Sequence, residues 1–533
     1  MKTHIIPLLV LPLISQCHYI PIDVPSMHFG GILQLIFSLT SLSALESVAI
    51  KDNPDAPENS DLESWIEGER ESALKGILNN FFGPSDWMHE PEVAKGAVIA
   101  SPSREQPNYF FQWVRDAALT VKTLVLYLDD SNFLDEKLGP LIETFIESQY
   151  HIQRLTNKSG KFDDECRSGL GEPKFMPDAT PFQDSWGRPQ RDGPSLRAIT
   201  IMMYLNLLKK HDKSLSNEFL KSPEFIYYEI IKPDLFYATK NWKKEGFDLW
   251  EEIEGFHLFT SLTQLRSLRD GIEFAEQIGD QDLEFIGEMK LAFDDLKNFI
   301  ENDSGYSPEF KSHLVESPKY VASGDRSGLD AAILLASIHS HNLDYGDYSE
   351  IPYDADSYKL LNTLNAMVAD MKVRYPVNRL SYHEGGGTGL GRYPEDIYDG
   401  YERSEGNPWF IATASAAEVV YKFIFKLISN KQDVVINEHN IDFLKQFVDL
   451  GLSKSVTIEY GSPKFDDMVK LLFTFSDSFL EVVKEHTDKD GHMSEQFNRY
   501  HGYMQGAKDL SWSYSAAWNA FRWRTKTVEL FNN

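Results

Sequence analysis

Apolar residues recur along most of this chain at spacings of three and four, the period of an amphipathic helix. Between residues 194 and 210, for example, Leu196, Ile199, Met203 and Leu207 fall on one helical face. Strand-like alternation is scarce. The pattern predicts a mainly helical protein, with helices near residues 110–127, 140–155, 194–210, 223–242, 256–278, 281–301, 327–340, 357–374, 408–429, 439–450, 465–486 and 510–524.

Long loops rich in Gly, Pro, Trp and Asp separate several of these helices. They span residues 160–193, 243–255, 303–326, 376–407 and 487–509. Loops longer than about 12–15 residues within a compact domain are usually functional. About a dozen helices joined by alternating short and long loops favour an α/α barrel, in which one set of loops could converge on a single mouth.

The N-terminal 62 residues differ from the rest of the chain. Residues 5–14 form an apolar run that resembles the core of a signal peptide, and a second apolar stretch covers residues 32–45. Neither reaches the roughly 18 unbroken apolar residues of a membrane span. We interpret residues 1–45 as a signal peptide or N-terminal apolar region, with a buried helix as the alternative. The polar segment 46–62 is predicted to be a linker.

From residue 63 to residue 533 the composition is uniform and includes no Ser/Thr-rich linker, which predicts one domain without an appended binding module. The N-terminal pattern favours the secretory pathway, with secretion or with retention in a vacuole or the endoplasmic reticulum. Acceptor triplets for N-glycosylation at Asn157 and Asn302 fit that route. The two cysteines, Cys17 and Cys166, allow at most one disulfide.

Composition excludes some partners and leaves others open. The formal net charge of −29 disfavours nucleic acid and anionic lipid, whereas a neutral polysaccharide meets no such repulsion. The 10 Trp, 24 Tyr and 34 Phe fit either a large core or a site in which rings pack against sugars.

Two of the long loops carry carboxylates beside aromatic or amide residues. Hydrolysis of a glycosidic bond needs two carboxyls, one to protonate the leaving oxygen and one to activate water or attack directly. Glu251, Glu252 and Glu495 are candidates, although with 81 acidic residues spacing alone leaves solvated surface carboxylates as the alternative. His383 and Glu384 precede three glycines but lack a second spaced metal ligand or a P-loop Lys, so a flexible loop is predicted there.

Nine short blocks resemble the signatures of fungal glucoamylases, glycoside hydrolase family 15, and they follow in the family's order. The blocks are residues 109–116 (YFFQWVRD), 171–175 (GEPKF), 185–194 (SWGRPQRDGP), 248–252 (DLWEE), 326–330 (RSGLD), 391–396 (GRYPED), 406–409 (GNPW), 493–496 (MSEQ) and 510–514 (LSWSY). The resemblance covers roughly residues 90–525 and is greatest to the yeast enzymes without a starch-binding domain.

This resemblance implies an all-α fold, the (α/α)6 barrel or six-hairpin toroid, with long active-site loops. It implies an exo-acting, inverting glycosidase that releases β-D-glucose from non-reducing ends of starch, glycogen or maltooligosaccharides. Terminal α-1,4 links would be cleaved, and α-1,6 links more slowly. The implied enzyme is a monomer that binds an α-glucan and needs no metal or cofactor. The alternatives are an inactive glucan-binding or regulatory protein on this fold and an exo-glycosidase for another α-glucoside.

The resemblance also assigns roles to residues. Glu251 takes the position of the general acid and Glu495 that of the general base, a choice between Glu251 and Glu252 that the chemistry alone does not make. The residues implied to bind substrate are Tyr109, Trp113, Arg115, Asp116, Trp186, Trp250, Glu252, Arg326 and Trp512.

Gly506 departs from the filamentous-fungal pattern, which has a serine whose hydroxyl hydrogen-bonds the base. Loss of a donor to the charged form should raise the pKa of Glu495. A serine restored at residue 506 should therefore lower that pKa, unless the glycine is required by a backbone with positive φ.

Overall fold

The computed structural model describes residues 61–82, 92–379, 387–451 and 455–532, all within the unit Asn53–Asn533. The predicted signal region, nearly all of the predicted linker, Cys17 and the predicted flexible loop at residues 383–386 lie outside these ranges. No helix within them is both long enough and apolar enough to cross a membrane.

Twelve helices of ten residues or more lie in the described part of the chain. In chain order they are α1 (Leu62–Asn79), α2 (Val114–Asp130), α3 (Leu138–Gln153), α4 (Asp192–Lys210), α5 (Lys232–Asn241), α6 (Leu258–Ile278), α7 (Leu283–Asn298), α8 (Ala331–Ser340), α9 (Tyr358–Arg374), α10 (Phe410–Ser429), α11 (Pro463–His486) and α12 (Ser511–Phe531). Shorter helical segments are Ser168–Gly171, Glu218–Leu220, Pro223–Ile226, Tyr227–Ile231, Phe299–Asp303, Pro318–Ser323, Pro376–Arg379 and Ile441–Leu444.

These twelve helices form two concentric rings. The even-numbered helices each pack against the next, and α12 packs back against α2, so that the inner ring is closed. The odd-numbered helices cover it from outside, with α1 against α12 and α11 against α10. Six antiparallel helix pairs around a common axis are the (α/α)6 barrel, which confirms the expected fold.

Burial follows this arrangement. All ten residues of α8 are buried, and almost all of α4 is, because an inner helix contacts neighbours on every side. The outer helix α11 is amphipathic instead, with Phe465, Leu472 and Phe479 among its buried residues. Its start is specified by Ser462, whose side chain caps the Phe465 amide, followed by a proline in the first turn.

One helix was missed and one predicted helix was wrong. α1 was missed because its buried face includes Glu69 and Gly76 as well as apolar residues, which weakens the periodic signal. Gly76 is required there, since a Cβ would lie 2.4 Å from the ring of Tyr514. Conversely, the helix predicted at residues 439–450 is only Ile441–Leu444, because turns bury the apolar side chains that suggested it.

The five long loops predicted from the sequence each lead from an outer helix to the next inner helix, so they meet at the N-terminal ends of the inner ring. Three two-stranded antiparallel ribbons brace this end: β1 (Gln112–Trp113) with β2 (Lys174–Phe175), β3 (Gly246–Phe247) with β4 (Glu254–Gly255), and β7 (Gln496–Phe497) with β8 (Met504–Gln505). The fourth ribbon, β5 (Val434–Ile436) with β6 (Val456–Ile458), lies in the connection from α10 to α11.

Candidate active site

A pocket opens where these loops converge on the inner helices. Eight of the predicted site residues line it: Tyr109, Trp113, Arg115, Asp116, Trp250, Glu251, Glu495 and Trp512. The loops before α2, α6, α10 and α12 all contribute to its wall. The two carboxyls that the sequence analysis paired, more than 240 positions apart in the chain, therefore share one cavity.

A tight hairpin presents Glu251. β3 and β4 pair on either side of it, and the buried carboxylate of Asp248 accepts hydrogen bonds from the amides of Glu252 and Ile253 at 2.8 and 2.9 Å. Glu251 itself has φ = 68°, a left-handed conformation that is uncommon for a residue with a side chain and is often found at functional sites. The turn is thus shaped to direct Glu251.

One oxygen of Glu251 is held by two donors. Trp113 Nε1 donates to Oε1 at 2.7 Å, and Gln190 Nε2 donates to the same oxygen at 2.8 Å. The amide oxygen of Gln190 in turn accepts from Arg115 at 2.8 Å, so the guanidinium orients the amide. Among the described residues, none hydrogen-bonds Oε2.

Glu252, the adjacent residue, has a different environment. Its carboxylate accepts from Arg326 at 3.0 Å, from Arg392 at 2.8 Å and from the hydroxyl of Tyr393. Burial alone would raise the pKa of Glu252, but Arg392, Tyr393 and Arg326 outweigh it and hold that pKa below its usual value. The two neighbours therefore differ. Arg326, Arg392 and Tyr393 form a clamp that binds the Glu252 carboxylate, whereas Glu251 lines the pocket.

Glu495 is fully buried at the other side of the pocket. Its Oε2 accepts from the hydroxyl of Tyr398 at 3.1 Å, whereas its buried Oε1 has no partner among the described residues. Burial raises the pKa of Glu495 to about 7, although the nearby hydroxyls of Tyr109 and Tyr398 and the charge of Arg392 act in the opposite direction. The result is a carboxyl with one anchored and one unoccupied oxygen.

Gly506 faces that carboxyl directly. The β7–β8 ribbon places it opposite Glu495, and a Cβ on Gly506 would lie 2.3 Å from Glu495 Oε2. The backbone of Gly506 has φ = 79°, and the backbone of Gly400 approaches it so closely that a Cβ there would lie 2.8 Å from the Gly506 Cα. Both the positive φ and the short distance to Glu495 favour glycine at residue 506. This is the alternative explanation for the glycine, a backbone requirement, that was left open above.

Arg115 and Asp116 lie at the start of α2, deep in the pocket. Arg115 pairs with Asp116 at 3.1 Å and with Asp192 at 3.2 Å, and these carboxylates, together with Glu251, raise its pKa despite burial. Burial raises the pKa of Asp116 to about 6; Arg115 lowers it, and Glu251 and Asp192 raise it. The pair offers a buried cation and a carboxyl to a bound polar group.

Three predicted substrate-binding residues lie beside the pocket and do not line it. Glu252 is bound in the clamp described above, and Arg326 is part of that clamp, stacked 3.4 Å from the centre of the Tyr393 ring. The ring of Trp186 packs 6.2 Å from that of Trp113, and its buried Nε1 has no partner among the described residues.

Lys174 lies among four aromatic rings beside the pocket. Its ammonium lies 3.5 Å from the Trp186 ring and 4.6 Å from the Trp113 ring, with Phe111 and Phe182 at 4.1 and 4.2 Å. Burial lowers the pKa of Lys174 to about 8, against the attraction of Glu251. The Lys174 ammonium therefore lies against the rings of Trp113, which lines the pocket, and Trp186, which lies beside it.

Four residues that matter here have no predicted role. Gln190 and Arg392 were inside quoted blocks, and the Arg392–Asp396 spacing of four was an available signal for a fixed arginine; its Nη2 lies 2.6 Å from Asp396. Trp409 was also inside a block and lines the pocket. Tyr398 falls outside every block, and no sequence signal indicated its contact with Glu495.

Comparison with known proteins agrees with this architecture. Residues 72–522 match the family described as glycosyl hydrolases family 15. A glucoamylase of Saccharomycopsis fibuligera is 40% identical over 488 residues, covering 89% of this chain and 92% of that protein. A Saccharomyces cerevisiae protein named as an intracellular, sporulation-specific glucoamylase is 34% identical over 500 residues, with 91% and 88% covered.

The solved structures give the same result. The structure of a glucoamylase from Saccharomycopsis fibuligera at atomic resolution aligns with a TM-score of 0.84 at 38% identity, and covers 90% of this chain and 98% of that one. A family match over most of the chain and relatives well above 30% identity both support the same assignment. The chain therefore belongs to glycosyl hydrolase family 15.

Proposed function

We propose that this chain is an exo-acting, inverting α-glucosidase in which Glu251 is the general acid and Glu495 the general base. The observation that carries the proposal is an arrangement shared by the two carboxyls that line one pocket. Each has one oxygen fixed by hydrogen bonds and one oxygen without a partner among the described residues. Single displacement at a glycosidic carbon uses one such group to donate a proton and the other to accept one from water.

The acid acts through Oε2. Because Trp113 and Gln190 both donate to Oε1, that oxygen is the acceptor, and the transferable proton resides on Oε2. Oε2 gives this proton to the glycosidic oxygen as the bond to the anomeric carbon breaks. Arg115 donates to the amide oxygen of Gln190 and thereby keeps the Gln190 amide nitrogen directed at Glu251 Oε1.

The base acts through Oε1. A water placed between this buried oxygen and the anomeric carbon would lose its proton to Glu495 while attacking from the face opposite to Glu251. Tyr398 anchors Oε2 and thereby fixes the direction of the free oxygen. Inversion of an α-link gives β-D-glucose, and the protons balance, since the acid loses one and the base gains one.

The terminal sugar is held by the buried end of the pocket. Arg115 and Asp116 supply charge-assisted hydrogen bonds to hydroxyls, and the rings of Trp113, Trp250 and Trp512 supply apolar contact. Trp250 is fixed for this role because its Nε1 donates to Asp330 at 2.9 Å.

The substrate class is an α-glucan. The relatives are named glucoamylases, and the chain's negative charge does not oppose a neutral polysaccharide. We propose release of glucose from non-reducing ends of α-1,4-glucans by residues 63–533 as the catalytic domain. Passage through the secretory pathway is supported by the apolar N-terminal sequence.

Hydrolysis of maltose followed by ¹H NMR tests both activity and stereochemistry. We expect the β-anomeric signal of glucose to appear first and the α signal to grow only by mutarotation. Initial appearance of α-glucose would contradict the base role of Glu495. Faster cleavage of trehalose or isomaltose than of maltose would identify another α-glucoside as substrate, and no cleavage of any would leave a glucan-binding protein.

A further inference from the structure

Lys174 is a buried lysine whose ammonium is enclosed by aromatic rings. Only 2% of the residue is exposed, and the ring centres of Phe111, Trp113, Phe182 and Trp186 lie 3.5–4.6 Å from Nζ. The negative faces of such rings replace part of the hydration that a cation loses on burial. Among the described residues the ammonium forms no ion pair and no hydrogen bond, so these four rings are its cage.

One ring of this cage connects the lysine to Glu251. Trp113 and Lys174 are Cα partners in the antiparallel pair of β1 and β2, so their side chains project from the same face of the ribbon. The ammonium lies 4.6 Å from the centre of the Trp113 ring, and Nε1 of the same ring donates to Glu251 Oε1 at 2.7 Å. A cation on an indole polarises it and makes its N–H a stronger donor. Lys174 and Glu251 therefore act on one side chain from two sides.

The charges of Lys174 and Glu251 also attract each other. Burial lowers the pKa of Lys174, the attraction of Glu251 opposes this, and the resulting pKa is about 8. The amine is therefore an ammonium at every pH below about 7. Because the interaction is mutual, the ammonium favours the carboxylate form of Glu251 by the same free energy.

Other charges near these two groups have partners of their own. The charged groups that act on Glu251 or Lys174 besides each other are Arg115, Asp116, Asp184, Arg188 and Asp192. Arg115 Nη2 lies 3.9 Å from Glu251 Oε1, but Arg115 is paired with Asp116 and Asp192. Arg188 is paired with Glu172 at 2.9 Å. Lys174 differs from both arginines, since within the described ranges no carboxylate pairs with it.

We propose, on the basis of the acid role proposed above for Glu251, that Lys174 is a positioning residue of the acid. Its caged ammonium fixes the Trp113 N–H at Glu251 Oε1 and stabilises the carboxylate that remains once Oε2 has given its proton to the glycosidic oxygen. Lys174 does not line the pocket, so it acts on the acid and not on the sugar. The charge makes Glu251 a stronger acid, and it also brings the loss of the acid proton to lower pH.

Lys174→Met removes the charge, keeps the length of the side chain and leaves a thioether that packs well against aromatic rings. The basic limb of kcat/KM on maltose, which reports the group that must be protonated, should move about 0.5–1 unit to higher pH. A weaker acid by that amount should lower kcat at the optimum at most about 3–10-fold, with KM changed less than about twofold. Lys174→Gln, which is also uncharged, should give the same shift.

Phe182→Leu is the matched control, because it removes one ring of the same cage and leaves the charge. It should leave the basic limb in place, and the Tm of each variant reports that it is folded. An unmoved limb in both uncharged variants, or an equal movement in Phe182→Leu, would overturn the proposal, since Lys174 would then only fill space. Glu251→Gln separates this from the acid role: normal turnover there would refute that role itself, whereas an inactive Glu251→Gln beside an unmoved limb in Lys174→Met would refute only the role of Lys174.

Discussion

Substitution of Gly506 by serine isolates the contact between the β7–β8 ribbon and Glu495, the proposed base. The added Cβ would lie 2.3 Å from Glu495 Oε2 and 3.3 Å from its carboxyl carbon, where ordinary contact is 3.4 Å or more. The carboxyl group must therefore move by about 1 Å or the ribbon must open. A serine hydroxyl could hydrogen-bond Glu495 only after such a movement.

Two costs add in this variant. A left-handed backbone costs a residue with a Cβ roughly 1–2 kcal/mol, and overpacking costs typically about 1–3 kcal/mol, which gives about 2–5 kcal/mol in all. An unfolding entropy of about 2.1 cal/mol/K per residue over roughly 470 residues is about 1 kcal/mol/K, so the Tm should fall by about 2–5 °C. A displacement of about 1 Å at a catalytic group can reduce kcat about 10²-fold.

The assay is the pH dependence of kcat/KM on maltose, measured together with the Tm. Gly279→Ser is the matched control, since Gly279 has φ = 75° but nothing lies within 4 Å of an added Cβ. The control should show the backbone cost alone, a loss of about 1–2 °C, with unchanged kinetics.

A Gly506→Ser variant with the Tm and kcat of the unsubstituted protein, and with the acidic limb of its profile moved to lower pH, would refute this reasoning. That result would mean that the hydroxyl bonds Glu495 without displacing it.

Three further substitutions test other parts of the structure. Glu251→Gln removes the acid proton and should lower kcat on maltose by about 10²–10⁴-fold at similar binding of substrate, and near-normal turnover would exclude the acid role. Tyr398→Phe removes a donor to the charged form of Glu495, so the pKa of Glu495 should rise. The acidic limb of the kcat/KM profile should then move about 0.5–1 unit to higher pH, and an unmoved limb would show that the Tyr398 hydroxyl does not stabilise the Glu495 carboxylate. In a yeast secretion system, Asn302→Gln should remove one N-glycan whereas Asn157→Gln should remove none. Asn302 is exposed and its amide donates only to the exposed side chain of Asn298 at 3.0 Å, whereas Asn157 is half-buried and its amide donates to the Gly169 carbonyl at 2.8 Å. Intact-mass shifts in the reverse pattern would contradict this.

The overall fold was predictable because eleven of the twelve long helices carry the helical period in their apolar residues. The five long loops predicted from the sequence do share one end of the barrel, although the connection 430–462 from α10 to α11 is long as well. The helix that the sequence pattern missed is α1. It packs through a glycine and a buried glutamate, and no hydrophobicity scale marks these as core residues.

The candidate site was only partly predictable. Family signatures led to Glu251 in preference to Glu252, but the physical distinction, two arginines on Glu252, depends on contacts with residues 74 and 140 positions away. Tyr398 reaches Glu495 across 97 positions for the same reason. The missing hydroxyl at Gly506 was visible in the sequence, whereas the positive φ that makes glycine necessary was not.

Closure of the inner ring by its last helix has a consequence for biosynthesis. During translation α2 to α10 can pack side by side, but the gap between α10 and α2 persists until α12 is made. Contacts between distant segments hold α12 in place: the rings of Trp65 of α1 and Phe521 of α12 meet edge to face with centroids 5.5 Å apart, and Arg70 donates to the Phe521 carbonyl at 2.7 Å. Glu495 and Trp512 also come from this final part of the chain. A nascent or clipped chain that ends before Glu495 would thus hold the proposed proton donor and much of the pocket while lacking the proposed base, so hydrolytic competence is expected only after α12 has been made.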